Sequence, residues 1–167
     1  MKIVDVFARI NFTFCSIYIP QSFISKAIIV SSKDVVNGYF KHQNKSFFCF
    51  DLDKLIENLT PAFFFTSKDK SNFFSKTVLI CNINEASLFT QFKTNNFAII
   101  SKYKPSIVTN STNTFKSFHG TPAKILLKHG INSCFFEKNH PCFKFNIQQA
   151  LQASYSEASQ NDTYTSC

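Results

Sequence analysis

The sequence predicts a mainly β protein built as two small barrels. Three observations carry this. Apolar and polar residues alternate strictly near the N-terminus, a strand–turn–strand–helix unit occurs twice, and the strand preceding each unit has a counterpart in the other half. The chain has 167 residues, which suits one domain or two small lobes sharing a core, since domains cluster near ~100–150 residues.

Residues 3–19 open the pattern. Val4, Val6, Ala8, Ile10 and Phe12 fall on one side, with Asp5, Arg9, Asn11 and Thr13 interleaved. After a polar break near 11–13 the apolar positions change parity to Cys15, Ile17 and Ile19, as two strands of a hairpin would. Pro20 ends this hairpin. Residues 21–30 then give a brief turn and another apolar stretch, and the polar stretch Ser31–Asn37 comes next.

Gly38 opens the most informative block. Tyr39 and Phe40 lead into the polar turn His42-Gln43-Asn44-Lys45, and the strand returns through Phe47, Phe48, Cys49 and Phe50. Asp51 then stands before Leu52, Leu55, Ile56 and Leu59, which have helical spacing. An Asp there is a good N-cap, its carboxylate accepting from the first free backbone amides. Thr60-Pro61 stops the helix, because the residue before proline avoids helical backbone.

The same unit returns near the C-terminus. Gly130 opens it, the turn is Glu137-Lys138-Asn139-His140, and Cys142 to Phe145 form the returning strand. Asn146 takes the N-cap position and Ile147, Ala150 and Leu151 continue at helical spacing. The second turn is expected to be about three residues longer than the first. The strand Val6 to Asn11 resembles Leu79 to Asn84. The chain therefore divides into a domain of residues 1–153, with lobes at about 1–60 and 76–153, a linker at 61–75, and a polar tail at 154–167.

Composition narrows the function. The formal net charge is +8 and there are 22 Phe and no Trp. The positive charge comes from lysine: Arg9 is the single arginine. A basic β-barrel that binds nucleic acid through Lys and exposed Phe is the alternative reading. It is disfavoured, because nucleic-acid readers lean on the bidentate arginine fork and these Phe occupy alternating interior positions. No run approaches the ~18–20 apolar residues that span a bilayer, and the N-terminal stretch carries no cleavage-site pattern. Cys15, Cys49, Cys81, Cys134, Cys142 and Cys167 show no disulfide-framework or zinc-like spacing, so free thiols in a reducing cytoplasm are expected.

Catalytic and metal-binding patterns are missing from the sequence. His129, Cys134, His140 and Cys142 lie close in sequence, but not in two pairs that converge on a tetrahedron. Ser117-Phe118-His119-Gly120 reads as a loop rather than a nucleophile and its base. Asp51 and Asp53 form the one close carboxylate pair, and a helix start accounts for both. No enzyme activity, metal or cofactor is expected. An interaction module remains, with a groove between two lobes and strand edges for partners.

The segment GYFKHQNKSFFCFDLDKL resembles the bacterial chemotaxis coupling proteins, the CheW-like domains. Their hallmark is a Gly, a short apolar strand, Asn-Leu-Arg-Gly, a second apolar strand often containing Pro, then Asp-Leu and a helix. Laid on this chain, Gly38 matches the first Gly, Lys41 the Asn, His42 the Leu, Gln43 the Arg and Asn44 the second Gly. Phe48 stands at the Pro, and Asp51-Leu52 match the Asp-Leu. FARINFTFCSIYIPQSFISKAII is similar to the family's opening hairpin with its Pro-initiated turn and Val/Ile-rich strand, and SKTVLICNIN to the strand that begins the second half. GINSCFFEKNHPCFKFNIQQAL is similar to the closing hairpin. The motif is degenerate, its Arg replaced by Gln43, and the family's central Gly and Asp have no match in FAIISKYKPSIV.

The resemblance implies two interlaced five-stranded SH3-like barrels with short helices, over residues 3–153. It also implies a cytoplasmic, non-enzymatic adaptor that couples chemoreceptor tips to the regulatory domain of the histidine kinase CheA, or a degenerate paralogue with a different protein partner. Gly38, Lys41, His42, Gln43 and Asn44 are then the candidate partner-binding residues, with Asp51 and Asn146 as structural helix caps.

Overall fold

The computed structural model describes residues 4–59, 75–83, 92, 94–111, 114–118 and 121–153. Strands β1 (Val4–Asn11) and β2 (Ser16–Pro20) form the antiparallel hairpin that the change of parity predicts, with Ile10 opposite Ile17. A 3-10 turn at Gln21–Phe23 leads into β3 (Ile24–Ser31). A second, at Ser32–Asp34, leads into β4 (Val35–Val36), so the polar stretch 31–37 contains a two-residue strand. Strands β5 (Tyr39–His42) and β6 (Lys45–Asp51) precede helix α1 (Leu52–Leu59). The Thr60-Pro61 stop and most of the 61–75 linker lie outside the described residues, as does the 154–167 tail.

The second half runs through β7 (Ser75–Cys81), β8 (Phe97–Ser101), β9 (Ser106–Ser111) and the two-residue β10 (Lys116–Ser117). Helix α2 (Thr121–Lys128) comes next, then β11 (Ile131–Glu137), β12 (His140–Phe145) and a last helix, α3, at 147–153. Helix α2 is an addition to the elements expected from the sequence. Proline at its second position suits a helix start, but the apolar residues Ile125, Leu126 and Leu127 are consecutive in sequence and show no helical spacing.

The strands make two six-stranded sheets. A terminal sheet has the order β10-β11-β12-β2-β1-β9, and a central sheet the order β3-β7-β8-β6-β5-β4. Each holds five strands of four residues or more, with one two-residue strand at its edge. Both obey one plan, including a parallel junction in the same place: β12 beside β2, and β6 beside β8. Each half therefore lends its first hairpin to the other half's sheet. The protein is mainly β, and its two subdomains are interlaced.

Register corrects two details of the internal repeat. Both hairpin turns contain two residues, 43–44 and 138–139, so the second turn is not the longer one. The extra residues after Gly130 lengthen the strand instead: β11 has seven residues where β5 has four, and it carries a bulge between Ile131 and Ser133. Cys49 and Lys144 each lie two residues before a helix cap. The rung Cys49–Ala98–Ile80–Lys26 of the central sheet thus corresponds to Lys144–Tyr18–Arg9–Ser106 of the terminal sheet. On that footing Val6–Asn11 corresponds to Thr77–Asn82, two residues earlier than the apolar pattern suggests. A shift of two preserves which face each residue takes, so the pattern alone could not detect it.

Three apolar clusters result from this layout. The largest joins the sheets and both capped helices, with Ala8, Ile10, Ile17, Ile19, Leu52, Leu79, Phe97, Ile99, Ile131, Phe145 and Leu151 at its centre. The opposite face of the central sheet encloses Val30, Phe40, Phe47, Cys49, Val78, Ile80, Ala98 and Ile100. Among the described residues, the opposite face of the terminal sheet encloses Phe7, Tyr18 and Cys142, with Val108, Phe115 and Phe135 packed against them.

Candidate partner-binding site

The β5–β6 hairpin gathers the five candidate residues at one end of the central sheet. Gly38 adopts φ +81°, a left-handed conformation that glycine takes without a Cβ clash, and its carbonyl accepts the Cys49 amide at 2.8 Å. The chain is thereby turned so that Tyr39 can pair with Phe48 and Phe40 with Phe47. Lys41 stands opposite Ser46 and His42 opposite Lys45. Gln43 and Asn44 form the turn, with φ +50° and +63°. Two successive positive φ angles give the hairpin turn whose twist matches its strands, and Asn tolerates that conformation well.

Lys41, Gln43 and Asn44 are exposed. His42 is not: its ring stacks on Phe40 at 5.9 Å and 16°, and its Nε2 is buried with no hydrogen-bond partner among the described residues. Beside the hairpin, Asp34, Val36, Tyr39, Phe40, Lys41 and Ser46 line a cavity of about 640 Å³. Val36, 60% exposed, forms an apolar lip to it. A second cavity, of about 690 Å³, lies under the 3-10 turn that carries the chain from the terminal to the central sheet. Phe7, Pro20, Phe23 and Phe145 give it apolar walls, and Asp5, Gln21 and Lys144 are among its polar lining. Aromatic floor with a few polar groups is the usual make-up of a binding concavity.

The two cap residues act on their own helices. Asp51 Oδ1 accepts the Lys54 amide at 3.1 Å, and Asn146 Oδ1 accepts the Gln149 amide at 3.1 Å. Asp53, the other carboxylate of the pair, accepts from Ser101 Oγ at 2.6 Å and the Lys102 amide at 2.8 Å, tying α1 to the end of β8. Burial raises its pKa, against the lowering effect of those two hydrogen bonds.

Sequence reasoning missed one polar constellation, around Arg9. Its Nε donates to Asn11 Oδ1 at 2.7 Å, Nη1 to Tyr18 Oη at 2.8 Å and Glu137 Oε2 at 3.0 Å, and Nη2 to Ser16 Oγ at 3.3 Å. Ser16 Oγ also donates to Asn11 Oδ1 at 2.7 Å and meets His140 Nε2 at 2.9 Å. This pair is not a nucleophile and base. The hydroxyl has one proton, Asn11 takes it, and Ser16 is fully buried. The signal in the sequence was the lone arginine among lysines: four acceptors around one cation need a planar fork, which an ammonium cannot supply.

Burial pushes the thiols of Cys15, Cys49 and Cys81 up to about 12. Among the described residues no group of three or more His, Cys, Asp or Glu side chains could hold a metal ion. Among them, too, no helix is long and apolar enough to cross a membrane.

No protein-family model matches the sequence, and a search of curated proteins finds no significant match. Solved structures do match. The scaffolding protein TtCheW of Thermoanaerobacter tengcongensis superposes with a TM-score of 0.56 at 10% sequence identity, over 87% of this chain and 90% of that one. At that identity the likeness speaks for the fold alone: this chain is built on the CheW-like plan of two interlaced SH3-like subdomains.

Proposed function

We propose that this protein is a non-enzymatic adaptor of the CheW-like kind, coupling chemoreceptors to the histidine kinase CheA in the cytoplasm. One observation carries the reading: the interlaced two-sheet plan is similar to that of a scaffolding protein over nearly the whole of both chains. The β5–β6 hairpin supplies the contact surface, through Lys41, Gln43 and Asn44, with Gly38 setting its entry and His42 packed beneath. The apolar lip at Val36 and the adjacent cavity add area on which a partner helix can seat. The nucleic-acid alternative draws little support, because among the described phenylalanines only Phe14 and Phe136 are exposed and no aromatic ladder forms.

Co-purification with the host's CheA and chemoreceptor fragments tests the reading. A complex is expected, and Gln43→Glu should weaken it by placing a carboxylate between Lys41 and Lys45. Failure to recover any kinase or receptor fragment would overturn the adaptor role.

A further inference from the structure

We propose that Arg9 is a recognition site for a carboxylate side chain of a protein partner, closed in the free protein by Glu137. This inference does not depend on the adaptor reading.

The guanidinium is held by its own hairpin. Asn11, Tyr18 and Ser16 lie on β1 and β2 or at the end of β1, so three of the four ties are independent of the rest of the chain. Tyr18 adds its ring, whose centroid is 5.3 Å from the guanidinium carbon. Asn11 Oδ1 and Ser16 Oγ bond each other, and Ser16 also meets His140, which fixes their positions behind the guanidinium. Arg9 therefore keeps its orientation whatever happens at the fourth tie.

That fourth tie is of another kind. Glu137 is the last residue of β11, next to the two-residue turn, and its side chain is 54% exposed against 20% for Arg9. An ion pair whose carboxylate is so open to water adds little stability, so exchange of that carboxylate costs little. The remainder of the site is preorganised, and preorganisation is what lets a single charged contact count toward binding. The group that occupies the site is itself a carboxylate, and this gives the chemistry of its competitor: an Asp or Glu side chain. The contact is an intramolecular mimic of the partner.

The lone arginine makes the test direct. Labelling with ¹⁵N-arginine gives one side-chain Nε–H signal, and this is monitored while sodium acetate or sodium phosphate is titrated at constant ionic strength. The wild type is compared with Glu137→Gln and Glu137→Ala, and backbone amide spectra report that each variant is folded. In both variants the Arg9 signal should respond to acetate at a concentration lower than in the wild type by up to about fivefold, the gain that corresponds to removing an exposed pair. Acetate should saturate the site at or below the concentration of phosphate that does so. Equal midpoints in wild type and variants, no response to either anion, or saturation by phosphate at the lower concentration would each overturn the assignment.

Discussion

The two barrel interiors occupy equivalent places in one plan and are filled differently. The central sheet encloses aliphatic and aromatic side chains and the Cys49 thiol. In the terminal sheet Arg9 stands where the central sheet has Ile80, Tyr18 where it has Ala98, and Cys142 where it has Phe47. The tips differ correspondingly. Glu137 pairs with Arg9, while the equivalent His42 has a buried Nε2 without a partner among the described residues. The backbone plan therefore does not require a wholly apolar plug. It requires a filled interior, and aromatic rings around a hydrogen-bonded arginine fill one, although Asn110 beside Tyr18 also has a buried Nδ2 without a partner among the described residues.

The largest effect expected comes from forcing one filling on the other barrel. Ile80→Arg would place a guanidinium among Val30, Phe47, Val78 and Ala98, with none of the acceptors that surround Arg9. An uncompensated buried charge costs several kcal/mol, so more than about 4 kcal/mol of stability should be lost. Thermal denaturation monitored by circular dichroism measures this, and a variant that unfolds like the wild type would break the comparison.

The two repeat-opening glycines sharpen it next. Both have φ +81°, but a Cβ on Gly38 meets only Phe48 Cε2 at 3.9 Å. A Cβ on Gly130 collides with the backbone carbonyl of Asn146 and approaches Ala150 Cβ at 2.9 Å. Gly38→Ala should cost about 1–2 kcal/mol, the left-handed penalty alone. Gly130→Ala should cost about 3 kcal/mol or more, because packing strain is added. Paired urea titrations of the two variants read the difference directly.

Thiol chemistry gives an effect confined to alkaline pH. Cys15, Cys49 and Cys81 ionise near 12 in the folded protein against 9.0 for an ordinary thiol. The folded state holds protons there that the unfolded state has released, so stability is retained below pH 9 and lost as pH rises toward 12. Each thiol should contribute a slope of about 1.4 kcal/mol per pH unit in that window. Melting temperatures from pH 8 to 11 should fall accordingly, and Cys81→Ala should flatten the fall relative to the wild type. The smallest effect concerns the caps. Asp51→Ala and Asn146→Ala should each cost about 1 kcal/mol, and nearly equally, since both make the same bond at 3.1 Å. A marked inequality in their urea midpoints would mean the two helices do not play equivalent parts.

Periodicity and capping sufficed for the local grammar: the parity-switching first hairpin, the repeated strand–turn–strand unit, the capped helices and their buried residues Leu52, Leu55, Ile147 and Leu151. Each depends on neighbours a few positions apart, where periodicity and capping chemistry act. Long-range strand pairing set the rest. That β1–β2 joins the last strands of the chain, and β7–β8 the strands of the first half, is a choice among distant pairings that alternation cannot rank. That Arg9, Ser16, Glu137 and His140 converge stems from the same choice, because the partners lie 124 and 128 residues apart. The β5–β6 tip was legible because its residues are contiguous. The arginine cluster was not, because the parallel junction of β2 with β12 creates it, and no stretch of sequence contains that junction.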